Sequence, residues 1–171
     1  MRVHAKISPI ELLKSVYFGY IHSVMSYGII TWGLSSKSTQ LLKFQKRIIK
    51  IMKQVSIRTE SKNGYKELQI LPVPCIYILE SVRFIHQNKN SFISNLDCHE
   101  HNTRTFKNIH LNYHRLTRSL CSISHTGSKL YNKLPQHIKG HNTRVFKKEV
   151  KNILLTHMPF SINEYMNLKI K

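Results

Sequence analysis

Acidic residues are the scarce component of this sequence: eight Asp and Glu stand against 27 Lys and Arg in 171 residues, a formal charge of +19. Aspartate occurs once, at Asp97. Phosphoryl transfer by two metals needs clustered carboxylates to hold both ions, and this one aspartate stands beside Cys98 outside any such motif. Cysteine is sparse too, and Cys75, Cys98 and Cys121 cannot all pair within one chain. With no stretch that reads as a signal peptide, the thiols point to a reducing compartment, nucleus or cytoplasm. Long apolar runs are equally wanting. The longest uncharged stretch, Ser15 to Ser36, is interrupted by His22, several serines, Gly19, Gly28 and Gly33, and reads as a buried amphipathic helix with a loop instead of a membrane span.

What the chain does have is apolar mass and positive charge. Its 41% hydrophobic content supports a packed core, and a chain of this length buries roughly two-thirds of its unfolded surface. A charge excess of this size repels itself and destabilises the compact state unless a polyanion is a regular partner. RNA, DNA or an RNA/DNA duplex is the first candidate. The excess is uneven, because between residues 101 and 160 eleven Lys and Arg face one acid, Glu149, whereas Glu60, Glu67 and Glu80 dilute the middle of the chain.

Periodicity divides the sequence into helices and one irregular stretch. Ser8 and Pro9 suit an N-cap and first turn, and Leu12, Val16, Tyr20, Val24 and Tyr27 continue along one side to a stop near Gly28. Ser38 is placed to cap a second helix reaching about Val55. Its apolar face would be Leu41, Phe44, Ile48, Ile51, Met52 and Val55, and its opposite arc Lys43, Lys46, Arg47, Lys50 and Lys53. Pro74 opens a third helix ending near Lys89. From Asn90 to Ser124 the period fails, which predicts a long loop or a few short strands. A short helix before Pro135 and a last one capped by Thr143 follow.

HNTRTFK at 101 to 107 and HNTRVFK at 141 to 147 agree at six positions of seven. Their flanks differ, helical after the second copy and aperiodic after the first, so they do not define a solenoid repeat. The expected fold class is mainly α: a small helical bundle over 1–90, an irregular basic segment over 91–126, and a helical extension over 127–171.

In order along the chain, LKSVYFGYIHSVMSYGIITWG, LLKFQKRIIKIM, YKELQILPVPCIYILESVRFIHQNK, the HxxTR of His101 to Arg104, TGSKLYNKLPQHIK, FKKEVKNILL and FSINEYM resemble the C-terminal portion of jockey-like non-LTR retrotransposon reverse transcriptases. The resemblance implies a thumb-like helical region and the extension behind it, elements that grip template and primer beside the palm. RNA-directed DNA polymerase activity and its Mg²⁺ would belong to the complete enzyme. The family's catalytic Tyr followed by an Asp pair is not found in this sequence, so no cofactor and no polymerase activity are expected of this chain alone.

Candidate sites follow from charge and spacing. Lys43, Lys46, Arg47, Lys50 and Lys53 could follow one phosphate strand, with affinity from counterion release. Arg104, Arg115 and Arg118, interleaved with Tyr113 and His114, suit phosphates and unstacked bases. Cys98, His101, Cys121 and His125 make a C-x2-H-x19-C-x3-H spacing that could hold zinc. The order of ligand types matches neither the usual fingers nor the knuckles, and eleven histidines generate such pairs freely, so loop residues without metal are the expectation. Trp32 reads as a packing anchor. Two competing readings remain, a helical protein-interaction module and a decayed retroelement relic. A large uncovered apolar patch would mark the first.

Overall fold

The computed structural model describes residues 9–56, 58–98 and 105–170. The fold is mainly helical, and among the described residues the β structure is a single antiparallel bridge between Ser94 and Ile109. The helices are α1 (Ile10–Val16), α2 (Ser23–Ser26), α3 (Ile29–Trp32), α4 (Lys37–Met52), α5 (Lys62–Leu68), α6 (Val73–Gln87), α7 (Asn95–Cys98), α8 (Thr117–Leu120), α9 (Ser128–Asn132), α10 (Gln136–Lys139), α11 (Thr143–His157) and α12 (Ile162–Asn167). A π-helical turn, Tyr17–His22, joins α1 to α2, and a second, Ile123–Gly127, leads into α9. Two compact units result, one from 9–77 with 153–162 and one from 78–152 with 163–170.

In the first unit, Leu13, Tyr17, Ile48, Ile49, Met52, Tyr65, Leu68, Ile70 and Met158 form the core. The apolar row read from the sequence is not part of it: Leu12 is 53% exposed, Tyr20 76%, Val24 74% and Tyr27 85%. The neighbouring row, Leu13, Tyr17, Ile21 and Met25, faces inward instead. Gly28 then takes φ +59°, a left-handed conformation that suits glycine, and turns the chain into α3. Gly33 has a different reason to be glycine, since a Cβ there would stand 2.6 Å from the Ile29 carbonyl oxygen.

α4 contains no Gly, Pro or acid, and its Leu, Lys, Gln, Arg and Met favour helix. It begins one residue before Ser38, and Ser36 at its N-cap makes no side-chain capping bond. It ends in a Schellman turn, with Gln54 at φ +54° and the Val55 N–H donating to the Lys50 carbonyl at 3.1 Å. The buried face is Gln45, Ile48, Ile49 and Met52. Phe44 and Val55, expected in the core, are 53% and 40% exposed.

Gln45 is fully buried and uses its whole amide. Its Nε2 donates to Tyr17 Oη at 2.7 Å and to the Leu71 carbonyl at 2.9 Å. Its Oε1 accepts from Tyr65 Oη at 3.2 Å and from the Val73 N–H at 2.9 Å. One α4 side chain thus ties α1's end, α5 and the LPVP corner together. Burial pushes the Tyr17 hydroxyl up to about 12, with the Gln45 bond opposing the shift, and pushes Tyr65 up further.

In the second unit the ring of His86 stacks on Phe146 with centroids 4.0 Å apart. His86 Nδ1 lies 3.3 Å from Tyr131 Oη and its Nε2 bonds the His141 carbonyl at 3.0 Å. Burial holds this imidazole below its ordinary range. Within the aperiodic stretch, the amides of Asn95 and His110 donate to the carbonyls of Asn108 and Ile93 at 2.9 and 2.8 Å. Asn132 completes the clamp like a third strand, accepting the Ile109 N–H at 3.0 Å and donating to its carbonyl at 2.8 Å. Asp97, the sole aspartate, accepts from the N–H and hydroxyl of Ser94 at 2.9 and 2.7 Å, bonds that hold its carboxyl below its usual value. The second HNTR is a helix entrance, capped by Asn142, one residue ahead of Thr143: Asn142 Oδ1 accepts the Val145 N–H at 3.0 Å. The first HNTR lies outside the described residues.

Candidate nucleic-acid interface

The five basic residues expected to form one arc, four of them on α4 and Lys53 at its C-cap, split into two groups. Lys43 and Arg47 are exposed, opposite Gln45 and Ile49, and carry no ion pair among the described residues. Lys46, Lys50 and Lys53 occupy the flank beside the core and are half-buried. Lys46 Nζ sits 4.7 Å above the Phe160 ring, a cation–π contact. Lys53 pairs with Glu67, an acid brought in from α5. Lys50 and Lys53 line a hollow of about 220 Å³ with Glu60 and Glu67. No acid occurs on α4 itself, but the fold supplies two from another segment, which local periodicity does not reveal. Of the stripe, Lys43 and Arg47 present unpaired charge to solvent.

In the second unit Arg115 and Arg118 are exposed on either side of α8's start, and Tyr113 is 91% exposed beside them. Neither arginine makes an ion pair among the described residues. Arg104 lies outside the described residues.

The cysteine and histidine set is not brought together among the described residues. Cys98 and Cys121 are exposed free thiols, His101 is outside the described residues, and no three His, Cys, Asp or Glu side chains converge on a metal position among those described. His125 instead meets His114 edge to face, centroids 5.5 Å apart. Trp32 is half-buried, its Nε1 donating to the Tyr27 carbonyl at 2.9 Å.

Sequence reasoning passed over Gln45 and Lys139. A glutamine with apolar residues three, four and seven positions later was a legible sign of an inward-facing amide. Lys139 had no such sign. It is 7% exposed, with Nζ 3.3 Å from Asn108 Oδ1 and 3.2 Å from the Asn132 carbonyl, and its amine lies 5.2 Å from the Tyr131 ring centroid. Burial, assisted by the Lys89 charge, pushes its amine down to about 8. No family model, curated protein or solved structure matches this chain.

Proposed function

We propose that the chain is a nucleic-acid-binding portion of a jockey-like non-LTR retrotransposon reverse transcriptase, its thumb and post-thumb region, which grips RNA, DNA or an RNA/DNA hybrid without regard to sequence and performs no chemistry alone. The observation that carries this reading is uncompensated charge. Among the described residues, the ion pairs join Glu11 to Lys14, Glu67 to Lys53, and Glu80 to Arg83 and Lys147, while Lys43, Arg47, Arg115 and Arg118 stay exposed and unpaired. Such groups suit phosphates, which position a protein on a strand without reading bases. Anisotropy titrations with several unrelated duplexes and hybrids test the reading. Equal affinities are expected, falling linearly in log affinity against log salt. Failure to bind any of them at low salt overturns it.

A second reading, a protein-docking module, is favoured by the exposed apolar row Leu12, Val16, Tyr20, Val24 and Tyr27. In the parent enzyme the palm would be its partner. The two readings are compatible within one protein, since the apolar row and the unpaired cations occupy different helices.

A further inference from the structure

We propose that a hollow in the second unit, of about 210 Å³ and walled by Phe92, Leu111, His110, His114 and His125, receives one unstacked nucleobase of a single strand. This inference rests on the nucleic-acid reading above and deepens it. The hollow is large enough, because a cavity of about 150 Å³ already admits benzene. Its lining contains no Lys, Arg, Asp or Glu. A phosphate would find no Lys or Arg there, and no metal position is formed among the described residues. The occupant suited to such walls is uncharged, flat and polar at its edge.

The local fold builds this site in identifiable steps. The bridge at Ser94 and Ile109 fixes the start of the 109–114 stretch, and Asn95 Oδ1 bonds His110 Nδ1 at 3.1 Å, orienting that ring. On the other side the π turn Ile123–Gly127 delivers His125, and such turns recur at functional sites. Gly127 lets the turn approach α6, since a Cβ there would stand 2.9 Å from Ile123 Cδ1 and 3.1 Å from Ile85 Cγ1. The Nδ1 atom of His125 is buried and makes no hydrogen bond among the described residues. An orphaned buried nitrogen is costly unless something completes it.

A nucleobase suits the walls of this hollow. Its faces pack on Phe92, Leu111 and the imidazole rings, and its edge offers donors and acceptors to His125 and to the hydroxyls of Ser91 and Ser124, which also line the hollow. The same short stretch then supplies what the rest of a nucleotide chain needs. Tyr113, directly before His114, is a bare stacking surface, and Arg115 and Arg118 are free for the backbone outside.

The test uses the full chain and three fluorescent probes at one salt concentration: a single-stranded 12-mer, a 12-mer of abasic sites with the same phosphates, and a duplex. Stacking of one base contributes roughly 1–3 kcal/mol, so the normal strand is expected to bind about tenfold tighter than the abasic one. Leu111→Trp fills the hollow from its half-exposed rim and is expected to reduce that preference severalfold, to the part that stacking on Tyr113 supplies, while leaving abasic and duplex affinities unchanged. Ser124→Phe, at an exposed lining position, repeats the test if the first variant is poorly folded. Equal binding of normal and abasic strands by the wild type overturns the pocket while sparing the general nucleic-acid reading. A preference undiminished by both filling variants places the stacking elsewhere and overturns it too. Absence of binding to all three probes removes both proposals.

Discussion

Two buried side chains show how differently polar groups fare inside this protein. Gln45 has every donor and acceptor matched, so its burial carries little penalty and its removal a large one. Gln45→Ala would orphan the Leu71 carbonyl, the Val73 N–H and two tyrosine hydroxyls, and each unsatisfied buried group costs about 1–3 kcal/mol. Urea denaturation is expected to show a loss of at least about 3 kcal/mol, and a loss under 1 kcal/mol would mean water replaces the amide. Lys139 is the opposite case, a charge taken from water with neutral acceptors and, among the described residues, no carboxylate. Its folded value of about 8 lies below the ordinary 10.5. Between these two pH values the unfolded chain holds more protons, so stability gained from deprotonation appears as pH rises from about 8 to 10.5 and is absent below 8. At pH 7 the full burial cost applies. Lys139→Met is expected to be at least as stable as wild type at pH 7, despite losing the bonds to Asn108 and Asn132, and to lose that advantage by pH 10.5. Parallel stability-versus-pH curves for the two proteins would refute the buried charge.

At the scale of the element, α4 separates charge that folds the protein from charge available to a ligand. Lys53→Glu would face Glu67 and is expected to lower stability. Lys43→Glu with Arg47→Glu should leave the thermal midpoint in place, because neither residue has an ion pair to lose among the described residues. That double change is expected to weaken binding to duplexes of any sequence and to flatten the salt slope by about 2, at roughly 0.9 per lost phosphate contact. Unchanged affinity would move the site to Arg115 and Arg118. The existence of α4, α6 and α11, and the break in period near Lys89, were legible because long amphipathic repeats and strong helix formers leave little choice. Which face turned inward was less so. On the first helical rod two adjacent rows, Leu12–Val16–Tyr20–Val24 and Leu13–Tyr17–Ile21–Met25, are both apolar at spacing four. The π turn at Tyr17–His22, bonded i to i+5, takes up an extra residue and keeps such rows aligned. Period alone cannot choose between them; the hydroxyl of Tyr17, which needs Gln45, does. The hollow at His114 and His125 was hidden for a related reason, since residues eleven apart meet only through the Asn132 clamp and the second π turn.

For the whole molecule, a formal +19 has opposite consequences for folding and for binding, and salt distinguishes them. Added salt screens the repulsion among uncompensated Lys and Arg, with the Debye length falling from about 10 Å at 0.1 M to 3 Å at 1 M. The free protein should therefore melt at a higher temperature in 0.5 M NaCl than in 0.05 M. Complexes behave in reverse, because the counterions released on binding phosphates return at high salt. A nucleic acid at 100 times its dissociation constant stabilises the folded state by about 2.7 kcal/mol. At low salt, adding an oligonucleotide duplex is thus expected to raise the melting temperature clearly, and at 0.5 M NaCl that increment should vanish while the baseline has risen. The measurement is a two-by-two set of thermal melts, salt against duplex. An increment that persists at high salt would show that apolar contacts, not charge, dominate the complex. A baseline that falls with salt would show that the charges are already neutralised within the fold, contrary to the exposed and unpaired Lys43, Arg47, Arg115 and Arg118.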